Sequence, residues 1–386
     1  MQANNTKHAG IYIHIPFCVK KCSYCDFYSI TDQSLKQPFI KALIQEMHMV
    51  SGHPFLFDTL YFGGGTPSVL RPENIGRIIE NAYGLFNIST DTEITIEVNP
   101  GTVTSEQLTE YRNIGINRIN IGAQSFNDEV LNFLGRIHSS NDADLTIRGA
   151  RKAGFDNIGI DLIYGIPGQT KEMWLSDLQM AVEFEPEHLS CYMLTYEKGT
   201  PLDRERRQGK FKPVAGSLLA ELFETTMEYL TTHGYVQYEI SNFAKNASRR
   251  SRHNFKYWSF SPYLGFGPSA HSFIEPKRYW NCRSVKKYIN NIKEGRLPIE
   301  EKEILSKEQR MTEMVYLGLR KTDGIDIDVI DENLGINFSQ IFAEKIKQLE
   351  EDGYILQIQP KNRCALSRKG MLFLDSIAPM FMTIEY

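Results

Sequence analysis

Three cysteines, Cys18, Cys22 and Cys25, lie in a C-x3-C-x2-C run directly after an apolar, strand-like stretch at 11–15. Three thiolates so close together can hold zinc or an iron–sulfur cluster. A structural zinc site takes four protein ligands, and no fourth Cys or well-spaced His follows the run. His14 precedes it, but on the strand, where packing is the simpler role. A [4Fe-4S] cluster held by three cysteines leaves one iron open, and that iron can take the amino and carboxylate groups of S-adenosylmethionine (SAM). Electron transfer from such a cluster to the sulfonium breaks a C5′–S bond and releases a 5′-deoxyadenosyl radical. The protein's share of that chemistry is position and exclusion of water. Lys20 and Lys21 flank the run, either to raise the potential of an anionic cluster or as plain solvated charge.

A second group of polar residues follows other strand-like stretches. Gly63-Gly64-Gly65-Thr66-Pro67 offers bare backbone N–H groups and close approach to a ligand. Three glycines also suit a tight turn, and neither G-K-[ST] nor G-x-G-x-x-G is present. Glu97 suits a ribose diol, Gln124 an adenosyl or methionyl group, and Arg136 a carboxylate gripped by its fork. Asp161 can accept from a ribose or an amine, and Tyr24 can lie against an adenine. Singly, each is more often an ordinary strand-end residue; their joint placement carries the weight.

That placement comes from alternating elements. Strands are expected at 11–15, 59–62, 93–98, 118–121, 158–163 and 189–194, each rich in branched or aromatic residues. Amphipathic helical patterns occupy 38–50, 74–83, 143–153 and 171–184. Alternation of this kind predicts a parallel sheet with right-handed crossovers, and six units suit a partial (βα)6 barrel. In such barrels chemistry sits at the C-terminal strand ends, where all the polar signatures fall. The expected division is a barrel at 1–235, an aromatic- and glycine-rich α+β segment at 236–299, and a winged-helix-like domain at 300–386. That last domain should hold helices at 306–319, 326–333 and 338–352, a hairpin of 354–359 with 364–367, and a short helix at 370–377.

The cysteine run resembles the radical-SAM signature, and the glycine stretch resembles the motif that pairs there with the SAM amino group. Tyr12-Ile13-His14-Ile15-Pro16-Phe17-Cys18, Ile121-Gly122-Ala123-Gln124-Ser125-Phe126 and Asp161-Leu162-Ile163-Tyr164-Gly165-Ile166-Pro167 extend the likeness. Together they resemble the oxygen-independent coproporphyrinogen III dehydrogenase family over nearly the whole chain. The resemblance implies a TIM-like radical-SAM barrel with its cluster on Cys18, Cys22 and Cys25. It also implies SAM contacts at Tyr12, Tyr24, Gly64, Gly65, Thr66, Glu97, Gln124, Arg136 and Asp161, with Thr195 a further match.

Two departures separate this chain from the dehydrogenases. Their signature continues C-x-C, where this chain has Phe27, and their N-terminal arm is longer. His253-Asn254-Phe255-Lys256-Tyr257-Trp258 is an H-N-x-x-Y-W motif, and with Phe27 it resembles the paralogous heme chaperones. That likeness implies heme as cargo, heme-accepting proteins such as respiratory membrane proteins, and an electron donor to the cluster. His253 is then the axial-ligand candidate, with His14, His138 and His271 as rivals. Phe255, Tyr257 and Trp258 would stack on the porphyrin, and Arg249, Arg250, Arg252 and Lys256 would meet its propionates. Without the resemblance, the same residues read as core aromatics around a satisfied interior histidine. The expected function is heme transfer; the alternative is radical decarboxylation of coproporphyrinogen III to protoporphyrinogen IX.

Composition narrows the remaining classes. The 386 residues carry a net charge of −4, which argues against nucleic acid or an anionic membrane as partner. From Glu300 onward 16 acidic residues face 11 basic ones, the wrong sign for DNA despite the winged-helix pattern. Cys191, Cys282 and Cys364 are scattered, which fits a reducing compartment rather than a disulfide framework. Residues 1–10 are polar without an apolar leader core, so a cytoplasmic protein is expected. The sequence leaves homodimerisation open.

Overall fold

The computed structural model describes residues 8–358 and 362–381. Most of the polar N-terminal stretch (1–7) and the end of the expected hairpin's first strand (359) lie outside the described residues. Six parallel strands pair in chain order: β1 (His8–Ile15), β2 (Leu56–Gly64), β3 (Ile88–Val98), β4 (Arg118–Gln124), β5 (Ile158–Tyr164) and β6 (His188–Met193). Between them run α1 (Lys36–Met49), α2 (Pro72–Leu85), α3 (Ser105–Asn113), α4 (Asp128–Leu134), α5 (Ser140–Lys152) and α6 (Lys171–Glu183). Side chains alternate across each strand. Ile11, Ile13, Ile15, Phe62, Ile96, Ile119, Ile121 and Ile160 enter the apolar core; the alternate positions face the concave side and are mostly polar.

α7 (Pro201–Arg207) and α8 (Gly216–Thr232) lead to β7 (Val236–Glu239) and β8 (Asn242–Ala244). α9 (Arg252–Trp258) precedes β9 (Tyr263–Phe266), β10 (His271–Ile274) and β11 (Lys277–Asn281); α10 (Val285–Lys293) and β12 (Ile299–Ile304) follow. These strands do not form a separate layer. β8 and β7 extend the sheet beyond β6, while β9 pairs parallel with β1 and carries β10, β11 and β12 outward. The result is one open sheet of 12 strands. Phe243, Leu264, Phe266, Val285 and Tyr288 of this segment share the main core.

The main sheet continues to Ile304, past the expected boundary at 300. After it come α11 (Lys307–Arg320), β13 (Ile325–Asp326), α12 (Ile327–Leu334), α13 (Phe338–Ile341), α14 (Ala343–Glu351), β14 (Ile355–Ile358) and β15 (Arg363–Leu366). The three strands form a small antiparallel sheet. Val315, Leu319, Ile330, Phe338, Phe342 and Phe381 build a second core beneath it. Among the described residues, no helix is long and apolar enough to cross a membrane.

Candidate functional site

Strand register arranges the concave face in tiers. Gly10, Thr59 and Glu93 pair at the lower end; Tyr12, Tyr61, Thr95 and Arg118 form the next tier; His14, Gly63, Glu97, Asn120 and Gly159 lie above. Gly122, Gln124 and Asp161 reach the C-terminal rim, where the cysteine loop also starts. Polar side chains on the inner face of a parallel sheet make a chamber rather than a packed core.

The glycine motif fastens the cysteine loop. Gly65 N–H donates to Ile15 O at 2.8 Å and Thr66 N–H to Phe17 O at 2.8 Å. A Cβ on Gly65 would lie 2.8 Å from both carbonyl oxygens, and one on Gly64 (φ +105°) would lie 2.5 Å from the His14 ring. Only bare backbone fits there. The Gly65 and Thr66 donors, expected to be open to a ligand, are therefore used within the protein. On its other side the loop is pinned by Ser23, whose N–H donates to Leu134 O at 3.3 Å and whose carbonyl accepts from Leu202 N–H at 2.9 Å.

A polar chain links two of the cysteines. Thr66 Oγ1 donates to Cys18 Sγ at 3.4 Å and accepts from Asn99 Nδ2 at 2.8 Å. Arg136 donates to Asn99 Oδ1 at 2.6 Å, Gly122 O at 2.8 Å and Cys22 Sγ at 3.5 Å. Val19, Lys20, Cys22, Thr66, Asn99 and Arg136 line a cleft at this point. Burial pushes the Cys25 thiol up to about 11, and Cys22 and Cys18 add to the shift. It also pushes the Tyr24 hydroxyl, beside Arg136, above its usual range.

Below the rim, Tyr61 OH donates to Glu97 Oε1 at 2.8 Å, and burial lifts the Glu97 carboxyl to about 7. Asn120 Nδ2 donates to Asp161 Oδ2 at 2.5 Å, and burial raises the Asp161 carboxyl. Gln124 holds a positive φ of 67° at the end of β4. Gln124 Oε1, Asp161 Oδ1 and Arg136 Nε are buried without a hydrogen-bond partner among the described residues. Such atoms need one from a ligand or from water. An acceptor amide, an acceptor carboxylate and a guanidinium match the amine, ribose and carboxylate of SAM. Three thiols on one loop match a site-differentiated [4Fe-4S] cluster, so the residues fit both groups. Among the described residues, no three His, Cys, Asp or Glu side chains converge at single-ion distances.

The H-N-x-x-Y-W motif lies elsewhere. α9 crosses the lower end of the chamber, and its first N–H groups, of Arg252 and His253, donate to Glu93 at 3.3 and 3.2 Å. His253 is 1% exposed. Nδ1 meets Thr59 Oγ1 at 2.8 Å and Nε2 meets Tyr257 OH at 2.9 Å, so in this conformation neither nitrogen is open to an iron. Burial lowers its pKa to about 3. The expected propionate partners are engaged too: Lys256 and Arg252 with Asp58 at 2.6 and 3.4 Å, Arg249 with Asp156 at 3.7 Å, and Arg250 over the Tyr238 ring. His14 and His138 are buried, with Nε2 bonded to Tyr28 O at 2.8 Å and Ala123 O at 3.0 Å. Thr195 is exposed beyond β6.

Sequence reasoning placed Asn99 in the polar stretch Glu97-Val98-Asn99-Pro100 without giving it a role, and passed over Asn120 and Arg118. Arg118 is 1% exposed, and its three guanidinium nitrogens have no hydrogen-bond partner among the described residues although Glu93, Glu97 and Asp161 surround it. The two-residue alternation back from Gly122 would have placed Asn120 and Arg118 on the inner face.

The family model of the radical SAM superfamily matches residues 12–181, and that of the HemN C-terminal domain matches 305–373. The heme chaperone HemW of Bacillus subtilis is 37% identical, covering 96% of this chain and 98% of the relative. The HemW of Lactococcus lactis is 34% identical, covering 97% and 98%. Among solved structures, the coproporphyrinogen III oxidase HemN of Escherichia coli superposes with a TM-score of 0.83 at 26% identity, covering 98% of this chain and 90% of that one.

Proposed function

Because this chain belongs to the HemW family of heme chaperones within the radical SAM superfamily, we propose that it binds heme and passes it to acceptor proteins, on a barrel that also holds a [4Fe-4S] cluster and exchangeable SAM. The carrying observation is likeness to heme chaperones over the full length of both chains. In this reading Cys18, Cys22 and Cys25 ligate three irons. When bound, the reduced cluster supplies an electron to the SAM sulfonium. Arg136 grips the SAM carboxylate while its bonds to Asn99 and Gly122 fix the fork. Glu97, Gln124 and Asp161 receive amine and ribose groups, with Asn120 orienting Asp161. Tyr12 and Tyr24 border the adenosyl moiety. Gly64 and Gly65 let the loop approach β1, and Thr66 steadies Cys18. Acceptors are heme-requiring proteins of a respiratory membrane, and a protein electron donor serves the cluster.

Fold likeness to HemN supports a second reading, coproporphyrinogen III decarboxylation. Phe27 stands where those dehydrogenases place a further cysteine, which favours the carrier. Anaerobic reconstitution followed by heme titration and a coproporphyrinogen assay decides between them. A Soret band without turnover is the expected outcome; turnover at enzyme-like rates, or no heme binding, would sink the carrier reading.

A further inference from the structure

We propose that His271 is the axial ligand through which this chain takes heme, on a rim platform built with Trp280, Arg283 and Phe27; the proposal rests on the heme-carrier reading above. An axial imidazole needs a ring nitrogen with an unengaged lone pair and an approach open to a macrocycle. The chain has nine histidines. His14, His138, His188 and His253 are buried. His14 and His253 have both ring nitrogens bonded, and His188 Nε2 meets Tyr238 OH at 2.7 Å. His8 pairs with Asp58 at the lower end at 3.1 Å. His233 Nδ1 is held by Tyr229 O at 2.7 Å at the end of α8. His48 and His53 lie at and beyond the last turn of α1, in the outer helical layer.

His48 is likewise exposed with no ring hydrogen bond among the described residues, but it lies in the outer helical layer, whereas His271 stands at the rim. It is exposed, and among the described residues its ring makes no hydrogen bond. The ring stacks on Trp280, its cross-strand partner, with centroids 5.4 Å apart and planes 23° apart. Stacking fixes the imidazole plane while leaving its edge nitrogens open. Topology sets its location. β9 runs parallel to β1, so the turn into β10 lies at the same end as the cysteine loop. Gly267 in that turn packs against the His14 carbonyl, and His14 feels the charges of both His271 and Arg283.

The surroundings match the chemistry of an iron porphyrin, which offers a metal, a flat apolar ring and two carboxylates. Arg283 donates to Asp26 O at 2.8 Å and lies 3.6 Å from the Asp26 carboxylate, but this pair is more than half exposed and therefore weak enough for a propionate to displace. Phe27, the next residue, is 66% exposed and presents an aromatic face that can cover a macrocycle. Cluster and cargo would then sit side by side on one rim.

The test is heme titration of the reconstituted full-length protein, read by the Soret band and by resonance Raman for the axial ligand. His271→Ala should raise the heme Kd by roughly tenfold or more and remove the imidazole signature, at unchanged cluster content and SAM binding. Arg283→Ala should weaken binding while keeping that signature. His271→Gln, closer in size, repeats the test if alanine disturbs the hairpin. Wild-type affinity and spectrum in both His271 variants, with heme bound by the wild type, would overturn this proposal alone. Absence of heme binding by the wild type would overturn the carrier reading with it.

Discussion

Arg136 touches Cys22, Asn99 and the Gly122 carbonyl at once, so the cysteine loop is braced before any cluster arrives. Its Asn99 contact continues through Thr66 to Cys18. Serine in place of Cys18, Cys22 or Cys25 should abolish the cluster, seen as loss of bound iron and sulfide, in protein that stays folded. Heme binding should remain measurable, because His271 belongs to a different hairpin; loss of both in folded protein would show that the two sites cannot be separated. The cysteines, glycines and charged strand ends stood out in the sequence because each is a distinctive residue type at a fixed spacing. Asn99 and Asn120 did not, since a single amide carries no motif. His253 is engaged within the protein for a physical reason. Spacing of i, i+4 puts His253 and Tyr257 on one helix face, where the two side chains bond to each other.

Glu46 shows how one helix residue joins several elements. From α1, buried at 2% exposure, it accepts from Gly267 N–H at 2.9 Å, Asn281 Nδ2 at 2.6 Å and Tyr288 OH at 2.6 Å. It thereby fixes α1 to the turn before β10, to β11 and to α10. Burial lifts its carboxyl to about 7 from 4.5, with the three donors pulling partly back. Between those pH values the folded state keeps a proton that the unfolded chain releases. This group's stabilisation is thus full below pH 4.5 and lost as pH rises to about 7. The loss is on the order of 3 kcal/mol. Glu46→Gln should flatten that slope in urea titrations across the range, whereas an unchanged slope would show that other groups cause it. Helix α3 escaped notice because only Leu108 and Tyr111 are buried along it. Its capping box, Thr104 with Gln107, was the readable sign.

The molecule as a whole has one large sheet whose order departs from chain order at both edges. Alternating units were legible because six strands are rich in branched residues bounded by turns. The edge strands were not, because β9 and β10 span four residues each and pair far from their place in the sequence. A cut at 235, where the barrel was expected to end, strips β1 and β6 of their outer neighbours. Unpaired strand edges promote aggregation. The fragment 1–235 should therefore run as aggregate in size-exclusion chromatography, and a compact monomer with a cooperative melt would contradict this. The C-terminal domain has its own core, yet Arg320 reaches back to the fully buried Glu239 of β7, so the domain is anchored to the sheet. The distance along the chain between β1 and β9 also sets a schedule for biosynthesis. About 250 residues separate these neighbours, and a ribosome adding roughly 5–20 residues per second needs on the order of 10–50 seconds to supply the second. Throughout that interval α9 is also still to come, so Glu93 waits for the two backbone N–H donors that meet it in the finished protein.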